Sequence, residues 1–350
     1  MKRADLLASL QRVQPALATK DFVAVFACFC FAKEAVFAYD DVVAMHYPCK
    51  APIKGAVRGE VLLSWLSSTK AKDLDINQEG QELTLKVGRS RLKTALLPSA
   101  EFVFKIPTDS SAELKITESL ADAMRVSMIS LGQDPIRPWQ AGLTLDFGDK
   151  SVTIYSTNNL TATLAKVPVK VPKELRGKNY LLPPRFCELL ADLTRRDKGT
   201  SLLFGKSWVE AQFKSGLRLY SRIGKQTDIP SFKRVFSSKL ISKLDTMVDI
   251  PKALDDSLAR AEGLVKTSKD PTASLNVADG KLIITASSAI GNLKDTLKLK
   301  EHDDVTVEAH PTLLRKALSH SEQFLIVPDT CIGFKGKSFT HVVSIAREED

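Results

Sequence analysis

One order of elements (strand, helix, strand, strand, strand) occurs three times in this 350-residue chain, and that recurrence limits the folds open to it. In Asp303–Asp350, Val305 and Val307 alternate with polar neighbours, as in a half-buried strand. Pro311 then opens a helix that carries Leu313, Leu314, Ala317 and Leu318 on one face. Strand-like runs follow at Phe324–Val327, Thr330–Lys335 and Thr340–Ala346. The same order fills Lys178–Ile223, with its helix after Pro183, and Pro52–Leu97, with its helix around Val61, Leu62, Trp65 and Leu66. The helix starts at Glu60, Pro184 and Pro311 lie 124 and 127 residues apart. A period that long implies three domains of common ancestry.

Each repeat is preceded by a further amphipathic helix (Arg3–Leu17, Thr117–Leu131, Pro251–Val265), a hairpin and another strand. The first hairpin is read as Ala24–Phe31 turning at Lys33-Glu34 into Ala35–Tyr39. The third turns at Asp279-Gly280, a strong two-residue signal. The fold class is therefore α+β: three domains, 1–114, 115–236 and 237–350, each with two helices on antiparallel sheets. Linkers are placed near Pro107–Leu114 and near Phe236–Met247. Such sheets have one apolar and one polar face, and the two helices cover the apolar one.

With 44% hydrophobic and 26% charged residues the composition is that of a globular protein. No apolar run reaches the ~18 residues of a membrane span; the most apolar stretch, Phe22–Ala32, is shorter and follows a charged segment. The scattered cysteines (Cys28, Cys30, Cys49, Cys187, Cys331) form no disulfide or metal-ligand framework and fit a reducing cytoplasm. Cys28 and Cys30 share one strand face as small core residues. The net charge is +9, of which the six helical segments carry +8. Helices with that excess form a basic surface separate from the strands.

Enzyme motifs are absent. Gly333-x-x-Gly336-Lys337-Ser338 has two residues between its glycines where a phosphate loop needs four, and it lies between strands rather than before a helix. The five histidines show no His-Glu-x-x-His spacing, and there is no nucleophile elbow. No cofactor or metal is expected.

The three-fold order with basic helices resembles the bacterial DNA polymerase sliding clamp, the beta subunit of DNA polymerase III. Val87-Gly88-Arg89-Ser90-Arg91-Leu92, followed by Leu97-Pro98-Ser99-Ala100-Glu101-Phe102, is similar to that family's Gly-Arg-Ser-Arg and Leu-Pro-Ala-Asp-Phe stretch. Asp228-Ile229-Pro230-Ser231-Phe232-Lys233-Arg234-Val235 resembles the close of its second domain, and Leu275–Ile284 the first hairpin of its third. Two segments depart from the pattern. Tyr155-Ser156-Thr157-Asn158-Asn159-Leu160 replaces Ala-Thr-Asp-Gly-His-Arg-Leu, and Ser344-Ile345-Ala346-Arg347 with the acidic Glu348-Glu349-Asp350 replaces a Met-Pro-Met-Arg end. So divergent a copy suits a phage or mobile element.

The resemblance implies a non-enzymatic, cytoplasmic processivity factor, a head-to-tail homodimeric ring around double-stranded DNA. Its partners would be a DNA polymerase and a clamp loader, with no membrane. Sequence-independent phosphate attraction would come from Arg3, Arg12, Lys20, Arg125, Arg195, Arg196, Lys198, Arg260, Lys266, Arg315 and Lys316. The partner-peptide pocket would be built from Tyr155, Leu160, Val235, Phe236, Val343 and Ile345. The dimer seam would pair Arg91–Leu97 with Leu293–Leu299, packed by Phe102, Leu297 and Leu299. Two rivals remain: a basic DNA-binding accessory protein that does not encircle DNA, and a β-rich virion component without a DNA role.

Overall fold

The computed structural model describes residues 1–19, 23–70, 72–102, 104–110, 112–132, 137–224, 232, 235–299 and 302–346. In chain order the first elements are α1 (Arg3–Val13), β1 (Cys28–Ala32), β2 (Ala35–Tyr39), β3 (Val43–Pro48), β4 (Gly55–Arg58), α2 (Gly59–Ser68), β5 (Asp75–Glu79), β6 (Glu82–Val87), β7 (Ser90–Ala95) and β8 (Ala112–Lys115). Then come α3 (Glu118–Ser127), β9 (Leu143–Phe147), β10 (Ser151–Thr157), β11 (Thr161–Pro168), β12 (Asn179–Leu182), α4 (Pro184–Arg196), β13 (Gly199–Phe204), β14 (Trp208–Phe213) and β15 (Arg218–Arg222). The rest is α5 (Ser238–Leu244), β16 (Val248–Asp249), α6 (Leu254–Val265), β17 (Ala273–Ala278), β18 (Lys281–Ser288), β19 (Gly291–Lys298), β20 (Val305–Ala309), α7 (Pro311–Leu318), β21 (Gln323–Val327), β22 (Cys331–Lys335) and β23 (Phe339–Ser344).

The chain divides into two compact units. The first comprises Met1–Ala121, Pro172–Leu175 and Leu182–Gly224; the second comprises Asp122–Val171, Arg176–Leu181 and Lys225–Asp350. Each is built on one eight-stranded antiparallel sheet. The orders are β4-β1-β2-β3-β15-β14-β13-β8 and β12-β9-β10-β11-β23-β22-β21-β16, so corresponding strands occupy corresponding places. Each large sheet joins strands from two successive repeats, through β3 and β15 in the first unit and β11 and β23 in the second. A smaller sheet completes each unit: β5-β6-β7 in the first, β19-β18-β17-β20 in the second.

Helical periodicity in the sequence becomes burial of one face. In the second unit Leu254, Leu258, Ala261 and Val265 of α6, with Leu314 and Ala317 of α7, pack on Leu275, Val277, Leu282 and Ile284 and on Phe324, Ile332, Phe334 and Val343. Each large side chain so buried contributes about 1.5–3 kcal/mol. In the first unit Leu6, Leu10 and Val13 of α1 and Leu62 and Leu66 of α2 are likewise buried.

Three expectations need correction. The apolar run before β1 does not enter the sheet at Ala24; Ala24–Ala27 is a 3-10 turn and the strand starts at Cys28. A continuous apolar run has no periodicity to mark where extension begins. The Phe236–Met247 linker holds α5, capped by the Ser237 hydroxyl, which accepts from Leu240 N–H at 3.2 Å. Lastly, the large sheets are apolar on both faces near their centres. Cys28, Cys30, Phe37, Tyr39, Ala44 and Tyr220 form one cluster, with Phe104 among them, on the first sheet. Ala162, Val327, Cys331 and Val342 form another on the second, covered by Phe236, Leu240 and Leu244.

Gly333 in β22 leaves room for that second cover. A Cβ there would lie 2.3 Å from Leu244 Cδ2 and 3.0 Å from the Met247 terminal methyl, so with any other residue those side-chain ends would have to move aside. No helix among the described residues is long and apolar enough to cross a membrane.

Candidate functional site

The second unit carries an apolar cleft of about 540 Å³ on the face of its large sheet that α5 only partly covers. Its local geometry starts in the tight turn between β10 and β11. Asn158 Oδ1 accepts from the N–H of Leu160 (3.1 Å) and Thr161 (2.7 Å) and from the Thr161 hydroxyl (3.0 Å). Asn159 takes a left-handed φ of 74°, which asparagine tolerates, and accepts from Gln140 Nε2 at 2.8 Å. With its backbone fixed in this way, Leu160 projects its side chain outward, 49% exposed.

Val235, 40% exposed, also lines the cleft. Trp139 and Phe232 form aromatic walls, and Phe232 is held by a stacked Tyr155 with ring centroids 4.6 Å apart. Ala162, Leu240, Cys331 and Val342 make the floor together with the buried Thr157 and Thr161, and Asn159, Thr330 and Ser344 add more exposed polar groups. No charged side chain lines the cleft among the described residues. An apolar floor with neutral hydrogen-bonding groups around it suits a short apolar peptide. Burial pushes the Cys331 thiol up to about 11, so it stays protonated and offers no thiolate nucleophile.

Of the six expected pocket residues, Leu160 and Val235 line the cleft and Tyr155 supports a wall. Phe236 does not line it; it is 5% exposed, packed beneath α5. Val343 and Ile345 point to the opposite face, against the core under α6 and α7, while Val342 and Ser344 face the cleft. Successive side chains of a strand alternate faces, so the expectation was out of phase by one residue. Trp139, Phe232 and Leu240 were missed. The acidic end at 347–350 lies outside the described residues.

The basic candidates divide by partner. In the first unit Arg12 lies 3.6 Å from Asp197, beside the end of α4 where Arg195, Arg196 and Lys198 are exposed. Arg12 also covers the Tyr47 ring at 4.9 Å, and Arg195 has only a 4.0 Å contact to Asp192. Arg3 donates to the Leu66 carbonyl. In the second unit Arg125 pairs with Asp122 at 3.0 Å. Arg260 pairs with Asp295 at 2.7 Å, and Arg315 with Asp255 (3.0 Å) and Glu262 (2.6 Å). Arg315 and Thr312 hold Glu262 below the usual carboxylate range. Lys266 and Lys316 are exposed, and Lys20 lies outside the described residues. Arg195, Arg196 and Lys198 are therefore neighbouring exposed cations at the end of α4, with Asp192 and Asp197 among them.

At the expected seam, β7 and β19 are both edge strands of their sheets. The packing candidates turn inward instead. Phe102 is half-buried, 6.3 Å from Phe37; Leu297 packs on the α6–α7 core; and Leu299 is 4% exposed within it. Along β19 the exposed residues are Asn292, Lys294, Thr296 and Lys298, because Leu293 and Leu297 share the inward face.

No family model matches the chain, and no curated protein does. Solved structures match over its whole length. A DNA polymerase sliding clamp from Pseudomonas aeruginosa, solved with a ligand, superposes with a TM-score of 0.87 at 18% identity, covering 99% of this chain and 98% of its own. This chain has the sliding-clamp fold. The beta subunit of Streptococcus pyogenes DNA polymerase gives 0.87 at 14% identity over 99% of both chains. The Thermotoga maritima DNA polymerase III beta subunit gives 0.82 at 16%, covering 100% and 99%. The cleft lies on a sheet face of the second unit, and the basic residues lie at the end of a helix of the first.

Proposed function

We propose that this protein is a DNA sliding clamp, not an enzyme, that closes head to tail with a second copy around duplex DNA and tethers a DNA polymerase. The observation that carries this reading is the likeness to clamps of three bacteria, over 99–100% of this chain and 98–99% of theirs. The free edges β7 and β19 support the closure, since an unpaired edge is a template for another strand. In the ring, β7 of one copy would pair with β19 of the other, through backbone hydrogen bonds and the polar residues facing outward. The second-unit cleft would seat an apolar peptide of the polymerase or of a clamp loader.

Topology tests the reading directly. The protein should have a solution mass of twice 38.5 kDa, about 77 kDa. Once loaded, it should stay on closed circular DNA in high salt and slide off when the circle is cut. Equal retention on circular and linear DNA would instead mean a protein that sits beside the duplex.

Charge tests the helix surface. Replacing Arg195, Arg196 and Lys198 together by Ala should weaken DNA association at low salt and lower the salt slope by up to about 3, roughly 0.9 per lost phosphate contact. The melting temperature should hardly move, because exposed charges contribute little to stability. Unchanged DNA association with a lowered melting temperature would assign these side chains a structural role.

A further inference from the structure

The two large sheets share one strand order, so each cleft residue on the second has a counterpart on the first. The seam registers align them: Ala162 opposite Val342 corresponds to Ala44 opposite Tyr220, and Cys331 opposite Ser344 to Trp208 opposite Arg222. The turns correspond as well. Asp40 Oδ1 accepts from Val42 and Val43 N–H at 3.0 and 2.8 Å, as Asn158 does from Leu160 and Thr161, and Asp41 has φ 77° where Asn159 has 74°. Val42, at the place of Leu160, is 43% exposed.

Where the second sheet has an open cleft, the first has an aromatic plug. Thr157, Cys331 and Val342 are replaced by Tyr39, Trp208 and Tyr220. Phe104 stands among these three, its ring centroid 5.5, 5.6 and 5.3 Å from theirs, and is 8% exposed. It belongs to no strand. Among the described residues, the backbone of 104–110 makes no hydrogen bond to the sheet, and the segment is pinned further on by Asp109, which accepts from Lys206 N–H at 2.9 Å. Phe104 is thus held to the sheet by its side chain, as a bound peptide's anchor would be.

We propose that the first sheet holds a second, latent peptide-binding site, and that the chain's own segment around Phe104 is its resident ligand. The site takes a short extended peptide with an aromatic anchor. Strand register and ring contacts assign this site, whether or not the second-sheet cleft binds a polymerase.

The probe is a synthetic peptide copying residues 100–106, added to the full-length chain. Leu160→Asp, present throughout, silences the open cleft. With Phe104→Ala added, the peptide should bind one per chain, shift Trp208 fluorescence and raise the melting temperature. With Phe104 intact, binding should be weaker by on the order of 30-fold, since the site is occupied. A peptide with alanine at the Phe104 position should not bind. A folded Phe104→Ala chain that ignores the peptide, or equal binding with Phe104 intact, overturns the proposal. If Phe104→Ala does not fold alone, peptide added during refolding must restore it; a chain that stays unfolded overturns it equally.

Discussion

Leu160→Asp combined with Val235→Asp should cut polymerase binding by more than about 100-fold and abolish processive synthesis, while leaving assembly and DNA association intact. Both side chains line the cleft, and they are its exposed large apolar groups that a docking peptide would cover. Losing each apolar contact costs about 1.5–3 kcal/mol of binding, and an unpaired carboxylate under a bound peptide adds to it. Both residues are 40–49% exposed, so the free protein should melt within a degree or two of the parent. Measured affinity for the polymerase and the length of products on primed DNA decide the matter. Full processivity from a folded double variant would place the tether elsewhere.

Acid should destabilise the second unit through one imidazole. His341 is fully buried behind the cleft floor, its Nδ1 2.7 Å from the Thr163 hydroxyl and 3.2 Å from that of Ser130. Burial pushes its pKa from 6.5 down to about 4. An unfolded chain binds that proton near pH 6.5, whereas the folded chain refuses it until near pH 4. Stability is therefore intact above 6.5 and falls across this window by about 1.4 kcal/mol per pH unit, on the order of 3 kcal/mol in all. His341→Met removes the titrating group and leaves Ser130 and Thr163 bonded to each other at 2.8 Å. Urea unfolding between pH 7 and 4 should then show a shallower loss for the variant. Parallel curves for the two proteins would sink this account.

The existence and order of the elements were legible because alternation and helical spacing persist through most of the chain. Their phase was legible only where one face is polar. In β23, Val342 and Val343 are adjacent valines on opposite faces, both packed, so nothing in the sequence says which faces the cleft. The Phe236–Met247 linker concealed a helix for a related reason. α5 is seven residues, too short for a periodic signal. Phe104 is one apolar residue in a connection, and its ring partners Tyr39, Trp208 and Tyr220 lie far away in sequence. Trp139 and Phe232 reach the cleft by the same long-range assembly. Pairing of charges was equally invisible: Arg260 and Arg315 read as free cations until Asp295, Asp255 and Glu262 came beside them.

All five thiols are buried, with Cys30 and Cys331 each pushed up to about 11 and Cys187 raised further by full burial. Maleimides and other thiol reagents attack the thiolate of an accessible cysteine, and none of the five presents one. The protein is in effect silent to such dyes. A single cysteine introduced at Lys294 on β19 or at Lys93 on β7, both outward-facing, would be the one position that labels. Fluorophores placed there would report whether the proposed seam forms and opens, without removing any native residue that the cores depend on.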